Sequence, residues 1–205
     1  MKKILTVIIL LCALCGATTT NAQLRYGVTA GVSINNLKFS QDLFQVDRGV
    51  GYSVGGAAEY MFPGAGFAID FGLMYSQRGA TLHLGEKPVW AVDGFGVERS
   101  YLHYVEIPIN LRFKFHHLDG FEDYLAPFLF AGPSISFLAG HNDLSALDYT
   151  GAEVGLQVGA GVELFKHFQL SGCRIWGMTN CMQTKKLDYF TARNRSWNIR
   201  LTYLF

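Results

Sequence analysis

Several common ways of building a protein are missing from this chain. Beyond its first 22 residues no stretch approaches 18 continuous apolar residues, so no later segment makes a membrane-spanning helix. Charged residues are only 16% of the chain, and 17 Lys and Arg nearly cancel 16 Asp and Glu, a balance that gives a nucleic-acid partner nothing to hold. Cysteine is scarce too. Cys12 and Cys15 fall in the apolar leader, which leaves Cys173 and Cys181. Their spacing on one extended strand is roughly 27 Å, far beyond disulfide reach. A bridge needs the chain to fold back near Cys181, and no disulfide scaffold is expected.

The leader comes first among what is present. Met1, Lys2 and Lys3 precede an apolar run from Ile4 to Leu14, and small and polar residues follow to Ala22. A charged start, a short apolar core and a small-residue cleavage point are the pattern of a secretory signal. We expect residues 1–22 to be a signal peptide cleaved after Ala22, and residues 23–205 to form one domain. Loss of Lys2 and Lys3 takes the 17 basic residues to 15 against 16 acidic, a net charge near −1.

The rest of the chain alternates. From Ser196 to Phe205, the large apolar residues Trp197, Ile199, Leu201, Tyr203 and Phe205 are interleaved with Asn198, Arg200 and Thr202. Side chains on a strand point alternately to its two faces, so one face is greasy and the other mostly polar. The same pattern marks strands from Tyr26 to Ile34, Gly51 to Phe62, Phe67 to Tyr75, Tyr101 to Phe115, Ala152 to Phe165 and Phe168 to Thr179. The fifth strand in order, Leu125 to Leu138, is apolar on both faces and leaves its register open, with Ile135 and Phe137 outward and Ser134 and Ser136 inward the better fit. Pro108 cannot donate to a ladder and predicts a bulge or kink in the fourth strand. The seventh has no clean register. One choice puts Arg174 on the greasy side, the other puts Gln169 and Ser171 there, and a bulge near Gly172 would reconcile them.

Eight strands result. Four stretches without pattern, Asn36 to Arg48, Ala80 to Glu98, Gly140 to Thr150 and Cys181 to Ala192, alternate with shorter turns. Aromatics gather at both ends of the strands. Long loops on one side, short turns on the other and two aromatic bands predict an all-β, eight-stranded antiparallel up-and-down transmembrane β-barrel in the cell outer membrane, both termini periplasmic. Phe205 then ends the closing strand. The alternative is the edge strand of a soluble barrel or sandwich.

Energetics decide which face looks outward. Arg200 at the bilayer midplane would cost about 2–4 kcal/mol, and a one-residue slip would send every polar side chain into lipid together. Trp197, Ile199, Leu201, Tyr203 and Phe205 are therefore the predicted lipid face. Glu59, Asp70, Glu106, Arg112, Glu163 and Arg200 fall in the lumen. Folding about Pro63–Gly66 puts Glu59 opposite Asp70, and two adjacent carboxylates need a cation or a proton. A catalytic or proton-relay pair and a structural ion network both satisfy that. Eight strands enclose side chains rather than a channel, which favours the network. His103 near Ser100 is the one hint of hydrolase chemistry, without a spaced motif. His116-His117 in a turn is a metal site or simply solvated. The inward glycines between Gly155 and Gly161 lack the Lys-Ser/Thr of a phosphate loop. No catalytic, cofactor-binding or metal residue is assigned, and no cofactor is expected. Outer-membrane lipid and the barrel-assembly machinery are the expected partners.

The chain also resembles the PorT-like outer-membrane β-barrel family of Bacteroidetes. The stretches that carry the resemblance are Ala22-Gln23, Gly27-Val28-Thr29-Ala30-Gly31, Tyr104-Val105-Glu106-Ile107-Pro108-Ile109-Asn110-Leu111-Arg112, Pro127-Phe128-Leu129-Phe130-Ala131-Gly132-Pro133-Ser134, Gly177-Met178-Thr179-Asn180 and Leu201 to Phe205. The resemblance implies an outer-membrane barrel, and for the family's namesake a part in type IX protein secretion, with secretion-system proteins as partners. Three functions follow as expectations: a non-enzymatic barrel with a structural or adhesive role, an accessory of secretion, or a lipid-modifying barrel enzyme.

Overall fold

The computed structural model describes residues 23–39, 45–62, 66–83, 85, 91–92, 94, 96–115, 124–142, 147–184 and 191–205. The expected leader lies outside them, as do His116, His117 and Pro63. Eight long strands follow one another around a closed barrel: β1 (Gln23–Phe39), β2 (Val46–Met61), β3 (Phe67–His83), β4 (Val97–Lys114), β5 (Leu125–His141), β7 (Ala152–Leu164), β8 (Phe168–Gly177) and β10 (Thr191–Leu204). Every neighbouring pair is antiparallel, and β1 pairs with β10 to close the ring. Closure removes the unpaired sheet edges that a bilayer cannot solvate. Two short strands, β6 (Leu147–Tyr149) and β9 (Met182–Thr184), pair with each other, and β9 extends the sheet from β10 at the end of the barrel away from the strand ends at Gln23 and Leu204, labelled the outer end, the opposite end being the inner.

The greasy face points out. On β10, Trp197, Ile199, Leu201, Tyr203 and Phe205 are 38–62% exposed, while Asn198, Arg200 and Thr202 between them are 6–8% exposed. Aromatic rings ring the inner end of the barrel. Tyr26 meets Phe205 at 5.7 Å, Phe205 meets Tyr203 at 5.4 Å, and Tyr203 meets Phe168 at 5.0 Å. Phe67, Phe113 and Phe115 continue the band on β3 and β4. At the other end Tyr52 packs on Tyr75 at 6.1 Å.

Three local expectations are corrected. Pro108 produces no bulge: the β3–β4 and β4–β5 registers continue unchanged across it, and its ring packs near Gly72. The register shifts fall instead between Arg48 and Ser53 and between His103 and Tyr104. No bulge occurs at Gly172 either. Strand β8 keeps one register with both neighbours, which places Gln169 inside and Arg174 on the outer face.

The third correction concerns the loops. Strand pairing runs well beyond the predicted strand ends, through Leu37 and Phe39 on β1 and through Leu82 on β3, and Leu102 of β4 joins them. These residues form a buried cluster inside the outer end of the barrel with Cys181, Met182 and Ala192. The pattern there is inverted rather than lost. At this end apolar side chains turn inward, as they do in a soluble barrel whose wall faces water. One consequence is that the β1–β2 connection, residues 40–45, is shorter than the β4–β5 connection, residues 115–124. Strict alternation of long and short connections does not hold.

Candidate functional site

The lumen is the one place where polar side chains from every barrel strand meet, and it is arranged in layers. Nearest the inner end, Arg25 Nη2 lies 2.7 Å from Glu59 Oε1 and 2.7 Å from Glu163 Oε2. Arg112 joins Glu59 and Asp70, with its Nη1 2.7 Å from Glu59 Oε2 and its Nε 2.7 Å from Asp70 Oδ2. Lys114 pairs with Glu163. Gln169 Nε2 donates to both Glu59, at 2.8 Å, and Glu163, at 2.9 Å. Glu59 and Asp70 are direct cross-strand partners, and Arg25 on β1 and Arg112 on β4 lie beside them and offset their charge.

A second layer lies nearer the outer end. Glu106 holds Arg78 on one oxygen; its other oxygen is 3.2 Å from Arg200 Nη2 and accepts from Ser134 Oγ at 3.1 Å. Arg78 Nη1 is 3.9 Å from Glu153, which also accepts a hydrogen bond from Asn194. Between the layers, Gln157 donates to Asn110 at 2.7 Å and Thr202 donates to Thr29 at 2.9 Å. Phe128 and Phe130 fill the same cross-section from β5. The glycines opposite make room for them. A Cβ on Gly159 would lie 2.5 Å from Phe130 Cζ, and one on Gly161 would lie 2.5 Å from Phe128 Cζ.

The six lumen residues named from sequence are all buried, but they fall into two groups: Glu59, Asp70, Arg112 and Glu163 near the inner end, Glu106 and Arg200 above them. Four more ionic members were not assigned. Glu153 and Lys114 share the inward face with assigned residues, a signal that was there to use. Arg25 and Arg78 lie beyond the predicted strand ends, so the alternation was not followed to them. With all ten counted, each layer is balanced: Arg25, Arg112 and Lys114 against Glu59, Asp70 and Glu163, then Arg78 and Arg200 against Glu106 and Glu153. The void left beside the inner layer is about 60 Å³, room for a few waters.

A family model described as the outer membrane protein beta-barrel domain matches residues 19–183. The chain belongs to that family. Among solved structures, the chain is similar to the outer membrane protein OprG from Pseudomonas aeruginosa, at 12% identity and a TM-score of 0.50 over 89% of this chain and 94% of that one. A major outer membrane protein from Thermus thermophilus gives 14% identity and a TM-score of 0.49 over 89% and 99%. Neisserial surface protein A gives 14% and 0.46 over 86% and 96%. No curated protein matches the chain.

Ile199, Leu201 and their neighbours are exposed on the outside of this wall, and its polar side chains face the inside. In that setting two residues take on new meaning. Ser100 and His103, paired in the hydrolase reading, point to opposite faces. Ser100 is buried inside the wall, and its Oγ has no hydrogen-bond partner among the described residues. His103 lies on the outer face, its Nδ1 2.6 Å from the Tyr75 hydroxyl, with the two rings stacked. A side chain cannot reach through the sheet, so the two make no nucleophile–base pair. Among the described residues no group of three or more His, Cys, Asp or Glu is arranged to hold a metal. Cys173 and Cys181 are both buried free thiols.

Proposed function

We propose that this outer-membrane barrel is a non-enzymatic protein with a sealed lumen, its role structural or adhesive through the end of the barrel where β6 and β9 lie. That end faces outward, and both termini are periplasmic. The observation that carries the reading is the lumen itself. Ten ionic side chains neutralise one another in two layers, Phe128 and Phe130 fill the space between, and the Leu37–Leu82–Leu102 cluster closes the outer end. Charges satisfied by each other in this way serve shape and rigidity rather than turnover. What is left to differ from other barrels is the outer surface. Protease shaving of intact cells tests the arrangement: cuts in residues 84–96, 142–151 and 185–190, with none in residues 63–65 or 115–124, support it. Cuts in the second set sink it.

A secretion role like that of the PorT-like barrels is a second reading, resting on the resemblance. The longest stretch that carries it, Tyr104 to Arg112, lines the lumen with Tyr104, Glu106, Asn110 and Arg112. It therefore speaks for a shared interior more than for a shared partner. Loss of secreted proteins on deletion of the gene would favour this second reading. The separation of Ser100 from His103 weighs against a lipid-modifying enzyme; an unchanged lipid A mass spectrum in a His103→Ala strain is the matching test.

A further inference from the structure

The outer face of β8, β10 and β1 carries a cluster of charges of one sign. Arg174 on β8, Arg193 and Arg195 on β10 and Lys38 on β1 all point outward at the end of the barrel bearing β6 and β9. They are neighbours in the sheet. Lys38 is the direct cross-strand partner of Arg193, Arg195 is the partner of Trp176, and Arg174 is the partner of Trp197. Among the described residues no acidic side chain lies on the outward faces of β1, β7, β8 or β10. Like charges directly opposite one another destabilise a sheet. Arg193 Nε instead donates to a neutral partner, Asn180 Oδ1, at 3.2 Å.

The position of the four is as informative as their charge. Arg174 shares its row with Trp197, the uppermost member of the lipid face, and its guanidinium lies 5.0 Å from the Trp197 ring and 5.3 Å from the Trp176 ring. An Arg on the lipid side costs about 2–4 kcal/mol at the midplane and about 0–1 near the interface. Stacking on two indoles suits the interface. Arg195 and Arg193 lie one and two rows further out, at headgroup height. Beside them is an open groove of about 300 Å³ lined by Lys38, Trp176, Gly177, Thr191, Arg193 and Arg195. Apolar Val158 and Leu156, the β7 partners of Arg174 and Trp176, flank the patch in the same rows.

We infer that this patch seats the phosphate of a phosphorylated lipid in the adjoining leaflet. The phosphate lies among Arg174, Arg193, Arg195 and Lys38, where it neutralises their mutual repulsion, and the acyl chains run down over Leu156, Val158 and Ile199. In the orientation proposed above this is the outer leaflet. The inference rests on the membrane-spanning reading and adds a preferred headgroup to it. Arginine is suited to the role because its planar fork binds phosphate oxygens in pairs.

The test is retention of lipid by the purified mature barrel in neutral detergent, read by native mass spectrometry. The probes are phosphatidate and a diacylglycerol with the same chains. The expected result is at least tenfold greater retention of phosphatidate, lost in Arg174→Gln/Arg193→Gln/Arg195→Gln and kept in Arg99→Gln, whose charge lies on β4 outside the patch. Inorganic phosphate at the same concentration should not displace the lipid. The inference is overturned if the triple variant retains phosphatidate as wild type does, if Arg99→Gln loses it equally, or if inorganic phosphate displaces it. Should the triple variant not refold, Lys38→Gln at an exposed position reads the same outcomes. Heat-modifiable migration on gels reports barrel formation separately. A wild-type chain that fails to form a barrel in detergent sinks the membrane reading, whereas a well-formed barrel indifferent to phosphate sinks only this site.

Discussion

The guanidinium of Arg112 lies over the ring of Phe128, 4.1 Å from its centroid. The contact ties the inner ionic layer to the aromatic filling of the lumen, and it fixes Arg112 where it also reaches Glu59 and Asp70. Removing one member of a buried charge pair leaves the other uncompensated and typically costs about 3–5 kcal/mol. Arg112→Ala should therefore lower the melting point in detergent markedly. Arg112→Lys should recover only part of the loss, because an ammonium cannot serve two carboxylates and a ring face in one plane. Circular dichroism melting of the three proteins checks this. An unchanged midpoint for Arg112→Ala would remove the network from the account.

Gly161 is the direct cross-strand partner of Phe128 on the neighbouring strand. An added methyl would lie 2.5 Å from Phe128 Cζ and 2.6 Å from the Leu170 carbonyl oxygen. Gly161→Ala should destabilise by about 1–3 kcal/mol, the usual cost of overpacking. Phe128→Leu removes the ring but leaves the carbonyl, so the double variant should lose less than the two single variants combined. Urea unfolding of the four proteins gives the coupling, and strict additivity would contradict the packing described.

Much of this was legible in the chain, and the misses share a cause. A two-residue period sorts faces wherever one face is apolar throughout, which is why the outward face of β10, the Glu59–Asp70 register and the inward Ser134 and Ser136 of β5 could be read. The period was applied with one polarity throughout. At the outer end the polarity reverses, so Leu37, Phe39 and Leu82 looked like loop, and Arg78 was lost with the end of β3. Arg25 was missed because the first strand was begun one residue too late. Arg174 resisted assignment because its fitness for the outer face comes from Trp176 and Trp197, one of them on a different strand.

The β7–β8 turn holds two non-glycine residues in the left-handed region, Phe165 at φ 51° and Lys166 at φ 63°, and His167 N–H donates back to the Leu164 carbonyl at 3.2 Å. This is the type I′ geometry that hairpins prefer and that glycine and asparagine fit best. Lys166→Gly should stabilise the barrel by about 1 kcal/mol, the strain that an L residue carries there. Lys166→Val should lower the midpoint. A drop with glycine would contradict the turn assignment.

The two thiols should be inert while the barrel is folded. Cys173 faces the lumen and Cys181 sits in the apolar outer cluster, where burial pushes its thiol well above the ordinary range. The thiolate is the reactive form, so both access and ionisation protect it. Maleimide should label neither cysteine in detergent and both after unfolding. Rapid labelling of Cys181 in the folded protein would show that the outer cluster is open.

The direction in which the greasy face looks is tested most directly by a nitroxide scan along β10. In a Cys173→Ser/Cys181→Ala background, single nitroxides are placed at 198, 199, 201 and 202 in a reconstituted bilayer, and collision with oxygen is compared with collision with a water-soluble nickel chelate. At 199 and 201 oxygen should dominate, and at 198 and 202 both collision rates should be low. Nickel dominance at 199 and 201, or low rates for both reagents there, would mean that these side chains do not face hydrocarbon and would contradict the account at its base.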